Sequence, residues 1–479
     1  MTRATVSAVS LLGAFLLPSC TLTRKAEQSC TKTSDCRATF GVGYVCAADG
    51  LCERAPPNPR CTTTFPQDLL IRPESYPNAI MIGSLADWSV ETQRGREDAI
   101  RLAVSQVNEE RGLDGRPFGV VFCDISKNPQ YDSLARVDAA VASARYLANV
   151  LGVPAIVGPS ASGDALAVFD ATRDEGVLLV SPAASSPELT GRDEPAPSDE
   201  RPGLLWRTAA PDTIQGQAIA RWLIEQRPVY DAVVVVHEKG PYGDALASVF
   251  TDAYQKSGRK VTTLSFETAS QRDAAVLQAP TTKPPFVLFF SSQTQDAVAF
   301  LNAASTLPAY QSIHFFLTDS AANPDLLSGA AGSSALPRVV GSRPALPQGQ
   351  TFELFRASYS AAFRKDASAL SFVPHAYDAA WMAFYGAAWS LRREGAITGL
   401  GMARGLRKLS VPGPEVAVTP GNWGQIVEML SSGAGVNLVG ASGTLDFDPA
   451  TEETTGLIDI WKVSADGKGI ESTMVIDPR

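Results

Sequence analysis

PAIVGPSASGDALAVFDATRDEGVLLVSPAASSPELT, residues 154–190, decides the reading of the fold. PAIV and VLLV are short apolar runs without alternation, the pattern of strands buried on both faces, and GDALAVFDATRDEG between them reads as a helix. Each strand runs into a loop of small hydroxyl residues, GPSASG (158–163) and SPAASSP (181–187). Such loops leave main-chain N–H groups within reach of a small polar ligand, and the first also opens a helix, whose N-terminus favours a carboxylate. Helix capping by Ser160 or Ser162 is the role the same serines take without any ligand. Two such loops after successive strands point to a shared anion-binding wall.

The alternation extends in both directions. AIMIGSL (79–85) predicts a strand. The following helix places Ile100, Ala103, Val104 and Val107 on one face and stops at Gly112. FGVVFCDI (118–125) is the next strand, and the helix after it carries Val137, Val141, Ala144, Leu147, Ala148 and Leu151 on one face. A polar, proline-rich insertion, RDEPAPSDERPG (192–203), separates this series from a second one. There LLWRT (204–208), DAVVVVH (231–237), FVLFF (286–290) and IHFFL (313–317) alternate with helical segments. Strand–helix alternation implies parallel sheets covered on both faces, and the number of units exceeds one ordinary open sheet. The expected fold class is α/β with two doubly wound lobes. In such sheets ligands sit beyond the carboxyl ends of the strands. Asp319, in FFLTDSAANPDLL, ends a strand of the second series, where it either caps the next turn or holds a ligand ammonium. Trp88 and Tyr242 follow strands at the same edge, in the loops DWS and PYGD.

The chain has 479 residues, 45% hydrophobic and 19% charged, a globular composition long enough for more than one domain. A formal net charge of −9 argues against nucleic acid or another polyanion as partner. MTRATVSAVSLLGAFLLPSC (1–20) has Arg3, a short apolar core and then small residues, which favours an export signal over a membrane span. Leu17-Pro18-Ser19-Cys20 resembles a bacterial lipobox, which would lipidate Cys20; Thr21 after it, in place of aspartate, favours the outer membrane. Six cysteines remain, Cys30, Cys36, Cys46, Cys52, Cys61 and Cys123, an even number that fits three disulfides in an oxidising compartment. The segment 30–52 has almost no core of its own, so bridges have to hold it together. Connectivity stays open, with Cys61–Cys123 one candidate tie to the main body. The proline-rich RAPPNPR (54–60) reads as a semi-rigid linker.

Enzymatic readings find little support. GPSASG has Ser162 where a nucleophile elbow needs glycine, and no phosphate-binding glycine motif occurs. The three histidines, His237, His314 and His375, are widely separated and never at metal-ligand spacing. No metal and no cofactor is expected.

The stretch 158–190 resembles the signature of the type I periplasmic binding proteins, the branched-chain amino-acid-binding group and related receptor ligand-binding regions. The resemblance continues in the family's order through LLWRTAAPDTIQGQAIA, HEKGPYGDALA, FFLTD, HAYDAAWMAFYGA and GASGTLDFDPATEE, over roughly residues 78–465. It implies two Rossmann-like lobes joined by three crossings and a hinge, with the ligand between them. The expected division is a lipoprotein signal at 1–20 and a Cys-rich module with linker at 21–61. Lobe I would take 75–207 plus 340–440, and lobe II 208–339 plus 441–479. By the resemblance Ser162 binds the ligand carboxylate, and the Ala183 backbone and the Ser185 hydroxyl hold the amino-acid head. Tyr242 and Asp319 act from the second lobe, Asp319 on the ammonium, and Trp88 covers the ligand from the first. The loop SSQTQD (291–296) lacks the tyrosine that branched-chain binders carry there, so the resemblance gives the ligand class and not its side chain.

The function implied is that of an exported, lipid-anchored, non-enzymatic binding protein that captures an amino acid or similar polar metabolite. Its partner would be an ABC importer or a sensor. The alternative is an outer-membrane lipoprotein using the same fold as an interaction module for cell-wall enzymes. The extra disulfide module and outer-membrane placement favour that alternative, and ligand-induced thermal stabilisation separates the two.

Overall fold

Two sheets that share the order of their five parallel strands carry the structure, a computed structural model that describes residues 28–477. Cys20 and the expected signal at 1–20 lie outside the described residues.

The first sheet contains β1 (Thr63–Phe65), β2 (Ile80–Ala86), β3 (Phe118–Asp124), β4 (Ala155–Val157), β5 (Leu178–Ser181) and β6 (Leu205–Arg207). Their spatial order is β1-β3-β2-β4-β5-β6, all parallel except β1. The second contains β7 (Ala232–Glu238), β8 (Lys260–Phe266), β9 (Phe286–Phe290), β10 (His314–Leu317), β11 (Val339–Pro344), β12 (Ile458–Val463) and β13 (Ile470–Ile476). Its order is β8-β7-β9-β10-β11-β12-β13, parallel as far as β11 and antiparallel beyond it. The strand–helix alternation predicts this class, and the structure has it.

In both sheets the winding direction reverses once, between β2 and β4 and between β7 and β9. A reversal splays two successive loops apart and opens a crevice at the strand ends. The loops at these two crevices build the site described below.

Each sheet buries both faces. In the second, Val234, Val236, Val287 and Phe289 pack into one core, while Val233, Val235, Leu288 and Phe290 pack into another. This is the period-two alternation of a strand covered on both sides. In the first sheet the largest core surrounds a helix at Val373–Glu394, in which every residue from Val373 to Ala388 is buried. A helix buried all round belongs inside a domain, not on its surface, and its one acid in this stretch, Asp378, accepts from the Ala441 and Ser442 N–H groups.

The chain crosses between lobes three times, over 208–211, 345–349 and 448–457. β11 lies in the second sheet, whereas the expected division returned the chain to lobe I at 340; Leu445 and Phe447 pack in the lobe I core, past the expected 440. The second sheet's fifth strand has to be laid down before the chain leaves it, so the crossing follows that strand.

The N-terminal module is a helix (Thr33–Phe40) and a two-stranded hairpin (Tyr44–Cys46 with Cys52–Arg54). Cys30–Cys46 and Cys36–Cys52 close it internally, and Cys61–Cys123 ties the linker to β3. Arg37 seats the module on lobe I by donating from Nη2 to the carbonyl of Val150, 2.8 Å away. Its guanidinium occupies the space where a side chain at Gly152 would lie, and Gly152 has the left-handed φ of +62° common after a helix. Among the described residues no helix is long and apolar enough to cross a membrane.

Candidate functional site

The loops at the two sheet crevices face each other across a cleft with about 500 Å³ of atom-free space, part of it open to solvent. Lobe I contributes the loop after β4 and the start of helix α1 (Glu91–Glu109). Lobe II contributes the loop after β7, the start of a helix at Thr294–Ser305, and the end of β10. The lobes approach closely at one rim. A side-chain carbon added at Gly163 would lie 3.7 Å from Cδ of Pro241 in the other lobe.

Ser160, Ala161 and Ser162 line the cleft where helix α2 (Ser162–Thr172) begins. The N-cap is Ala161 and no side chain caps the helix. The capping role open to Ser160 and Ser162 is therefore not taken up, and the unpaired first-turn N–H groups are left to the cleft. Ser162 is 2% exposed, and its hydroxyl accepts from the Ser186 backbone N–H at 3.2 Å, which keeps its proton for another acceptor. That bond also locks the two serine loops together. Ser181 does the same, donating to the Pro159 carbonyl (2.6 Å) and accepting from Ala184 N–H (3.0 Å). Arg207 braces the second loop from below. It donates to the Ser186 carbonyl (2.8 Å) and forms a bidentate pair with Glu453 (2.6 Å for each bond).

Asp319 is buried on the opposite wall. Its Oδ1 accepts from the Gln215 amide and from the Tyr242 hydroxyl, both at 3.1 Å. Burial pushes the carboxyl above its usual range, and those two hydrogen bonds together with the Arg96 charge pull it back only in part. Tyr242, buried between acids, is raised well above the ordinary phenol range for the same reason. Arg96, on α1, lines the cleft from lobe I. Its Nε donates to the Ser371 carbonyl (3.1 Å) and its guanidinium lies 5.2 Å from the centre of the Phe372 ring. Burial lowers it to about 10, so it stays charged at neutral pH. Arg96 and Asp319 attract each other without forming a direct ion pair. The cleft thus holds one cation and one anion on opposite walls, each short of a charged contact partner.

Of the residues expected from sequence, Ser162, Ala183, Tyr242 and Asp319 line this one cavity. Ser185 does not; it lines an adjoining cavity at the lobe crossings. Trp88 does not line the cleft either. It packs partly buried against the lobe I core, with its backbone N–H on Asp124 Oδ1 (3.2 Å). Where branched-chain binders carry a tyrosine, Ser292 and Thr294 line the wall. Sequence reasoning missed Arg96, Gln215 and Phe372. Arg96 carried no local signal, since a basic residue on an amphipathic helix usually faces solvent. The histidines are scattered: His237 lies 3.2 Å from Asp244, His314 stacks on Phe286, and His375 is buried at the crossings.

Two winding-reversal crevices facing each other across a hydroxyl-and-charge-lined cleft define an interlobe binding protein, and the chain belongs to the periplasmic binding protein family, whose model matches residues 81–430. It is similar to the Leu/Ile/Val-binding protein of Escherichia coli (strain K12), 29% identical over 200 residues, which are 42% of this chain and 48% of that protein. The match thus spans about half the length of that curated relative. The fold is shared with a leucine-binding protein of Thermotoga maritima (TM-score 0.66, 17% identity, 83% of this chain and 99% of that one). It is also shared with a branched-chain amino acid transporter substrate-binding protein of Streptococcus pneumoniae solved with isoleucine (TM-score 0.63, 18% identity, 82% and 99%).

Proposed function

We propose that this protein reversibly captures an amino acid between its lobes, without catalysis, for an ABC importer or a sensor. The observation that carries the reading is the pair of buried, unpaired opposite charges, Arg96 and Asp319, on facing walls of one cavity. A zwitterion supplies a partner for each. The ligand carboxylate is received by the Ser162 hydroxyl, the open N-terminus of α2 and the Arg96 field; the ammonium is received by Asp319, held in place by Gln215 and Tyr242. The Ala183 backbone contributes a further polar contact. A ligand touching both walls favours the closed arrangement over the open one, which is the energetic source of hinge closure. Polar contacts in a solvent-connected cleft allow release, as a delivery protein requires. The names of the relatives, Leu/Ile/Val-binding and leucine-binding, support the amino-acid class.

Thermal denaturation against a panel of amino acids tests this reading. Saturating ligand raises the midpoint through selective binding to the folded state, by roughly 2–4 kcal/mol of stabilisation at a hundred to a thousand times Kd. A panel without any shift would defeat the proposal. Export and lipid attachment at Cys20, with outer-membrane placement, form part of the same proposal and rest on the sequence. Incorporation of a labelled fatty acid that disappears in Cys20→Ala checks the attachment, and density-gradient separation of the two membranes checks the placement.

A further inference from the structure

Behind the cleft lies a second cavity, framed by all three crossings between the lobes. It holds about 530 Å³ of atom-free space, part of it open to solvent. Thr208 and Ala210 line it from the first crossing, Ala345 from the second, and Thr454 and Leu457 from the third. Only one layer of side chains separates it from the cleft. On the lobe II side that layer is Gln215, which lines the rear cavity while its Nε2 donates forward to Asp319 Oδ1 (3.1 Å) and to Ser342 Oγ (3.0 Å). On the lobe I side it is Phe372, which lines both cavities. Phe372 has a φ of +65°, uncommon for a bulky side chain and a mark of backbone held in place by its surroundings. Two residues of the serine loop span the same partition, with Ala183 in front and Ser185 behind.

One buried polar atom on the wall of this rear cavity is left without a protein partner. His375 lines it, and its Nδ1 has no hydrogen bond. Leaving that buried nitrogen unpaired costs about 1–3 kcal/mol, and native proteins seldom accept such a cost without a use for it. A guest with hydrogen-bonding groups removes it. The lining narrows the guest's chemistry. It carries hydroxyls from Ser185, Thr208, Thr444 and Thr454 and the imidazole of His375, which burial lowers to about 3 and so keeps neutral. Among the described residues no arginine, lysine, aspartate or glutamate lines it. A charged group would find no counter-charge on these walls, and an aliphatic one would leave the His375 nitrogen unpaired.

We propose that this rear cavity is a subsite of the interlobe site, taking an uncharged hydrogen-bonding side chain of the ligand, an amide above all. The inference rests on the amino-acid reading and deepens it. With the ammonium on Asp319, the ligand's side chain starts one residue's thickness from the rear cavity, past Gln215 and Phe372. The hydroxyls of Ser292 and Thr294 in the cleft itself agree with a polar ligand.

Isothermal titration of the full chain with glutamine and with leucine tests it. Wild type is expected to bind glutamine more tightly on the order of tenfold, the worth of one or two buried hydrogen bonds. In His375→Phe that ratio should fall by roughly fivefold or more, the share of a single lost partner. Where His375→Phe fails to fold by circular dichroism, the isosteric Thr444→Val takes its place, with a drop of about threefold. Leucine bound as tightly as glutamine by wild type overturns the subsite and leaves the amino-acid reading standing. Binding of neither overturns both. A crystal structure of the glutamine complex with only water in the rear cavity overturns the subsite alone.

Discussion

The two lobes repeat one another in topology and differ in chemistry. Both sheets run in the same order through their first five parallel strands, both reverse direction once, and both present loops at that reversal to a common cleft. Yet lobe I offers hydroxyls, open N–H groups and a guanidinium, while lobe II offers a carboxylate clamped by an amide and a phenol. Lobe I is also tied beside its edge strand β1 by the Cys61–Cys123 disulfide, and it carries the docked module at Val150. The β8 edge of lobe II, starting at Lys260, is largely exposed and has no such tie among the described residues. Topology decides where the walls stand; the loop residues decide what they bind.

The largest effect should come from cutting the tie on lobe I. Cys61–Cys123 closes 62 residues, and loop-closure entropy gives such a bond about 4 kcal/mol, against about 3 kcal/mol for each 16-residue loop in the module. Cys61→Ser with Cys123→Ser should therefore lower the lobe I transition in calorimetry and leave lobe II nearly unchanged. Losing the module pairs should loosen the module alone, seen as cleavage in the 54–60 linker. A single unshifted transition after Cys61–Cys123 removal would mean that the tie contributes nothing.

Next comes the charge on the other wall. Asp319→Ala should weaken binding of a zwitterionic amino acid by roughly a hundredfold, near 3 kcal/mol, because it strands a buried ammonium. The corresponding amino-acid analogue without the ammonium should lose about threefold at most, the share of an ordinary hydrogen bond. Equal losses in titration calorimetry would show that Asp319 does not meet the ammonium.

A smaller effect tests how closely the lobes meet. Gly163 has room for one carbon before Pro241 across the cleft, with 3.7 Å remaining. Gly163→Ala should bind as wild type, while Gly163→Phe should wedge the rim and weaken binding by about tenfold, some 1.4 kcal/mol. An unchanged affinity in Gly163→Phe would mean that closure does not pass through this contact.

Much of this fold was legible because strands buried on both faces leave unbroken apolar runs, and PAIV, VLLV, VVVV and FVLFF all became strands. Four of the expected site residues share a cavity because strand order alone carries those loops to one edge. What stayed hidden depends on long-range pairing. Arg207 and Glu453 lie 246 positions apart, and nothing local to WRT or TEE announces that the pair braces the serine loop. Ser185 turned to the rear cavity because the loop spends its neighbouring hydroxyls internally, Ser181 on Pro159 and Ser186 on Glu188 N–H. Trp88 looked like a cover for the ligand from its place after β2, but its ring found the lobe I core first. The crossings themselves were invisible, since they carry no periodic pattern.

The smallest effect is one of pH, and it distinguishes the lobes again. Asp212, at the start of the first lobe II helix, is pushed up to about 8 by burial and by the nearby Asp319 charge, with Ser185 and Arg207 opposing. Glu97, in lobe I, also reaches about 8, chiefly by burial. Unfolded, such carboxyls titrate near pH 4, so folding favours their protonated forms. The stability they contribute is complete below about pH 4 and is lost as pH rises through about 8. His375 has the opposite sign. Burial holds it neutral in the fold, so its share is lost only as pH falls below about 6.5, outside a comparison made between about pH 7 and about pH 9. Over that window the ligand-free protein should lose on the order of 2 °C in midpoint, and Asp212→Asn and Glu97→Gln should each remove part of the slope. If both lobes share the cost, the double variant has a shallower slope than either single variant. A slope untouched by Asp212→Asn would mean that this carboxyl is already ionised in the folded protein, and that the floor of the crossings is charged where the geometry makes it neutral.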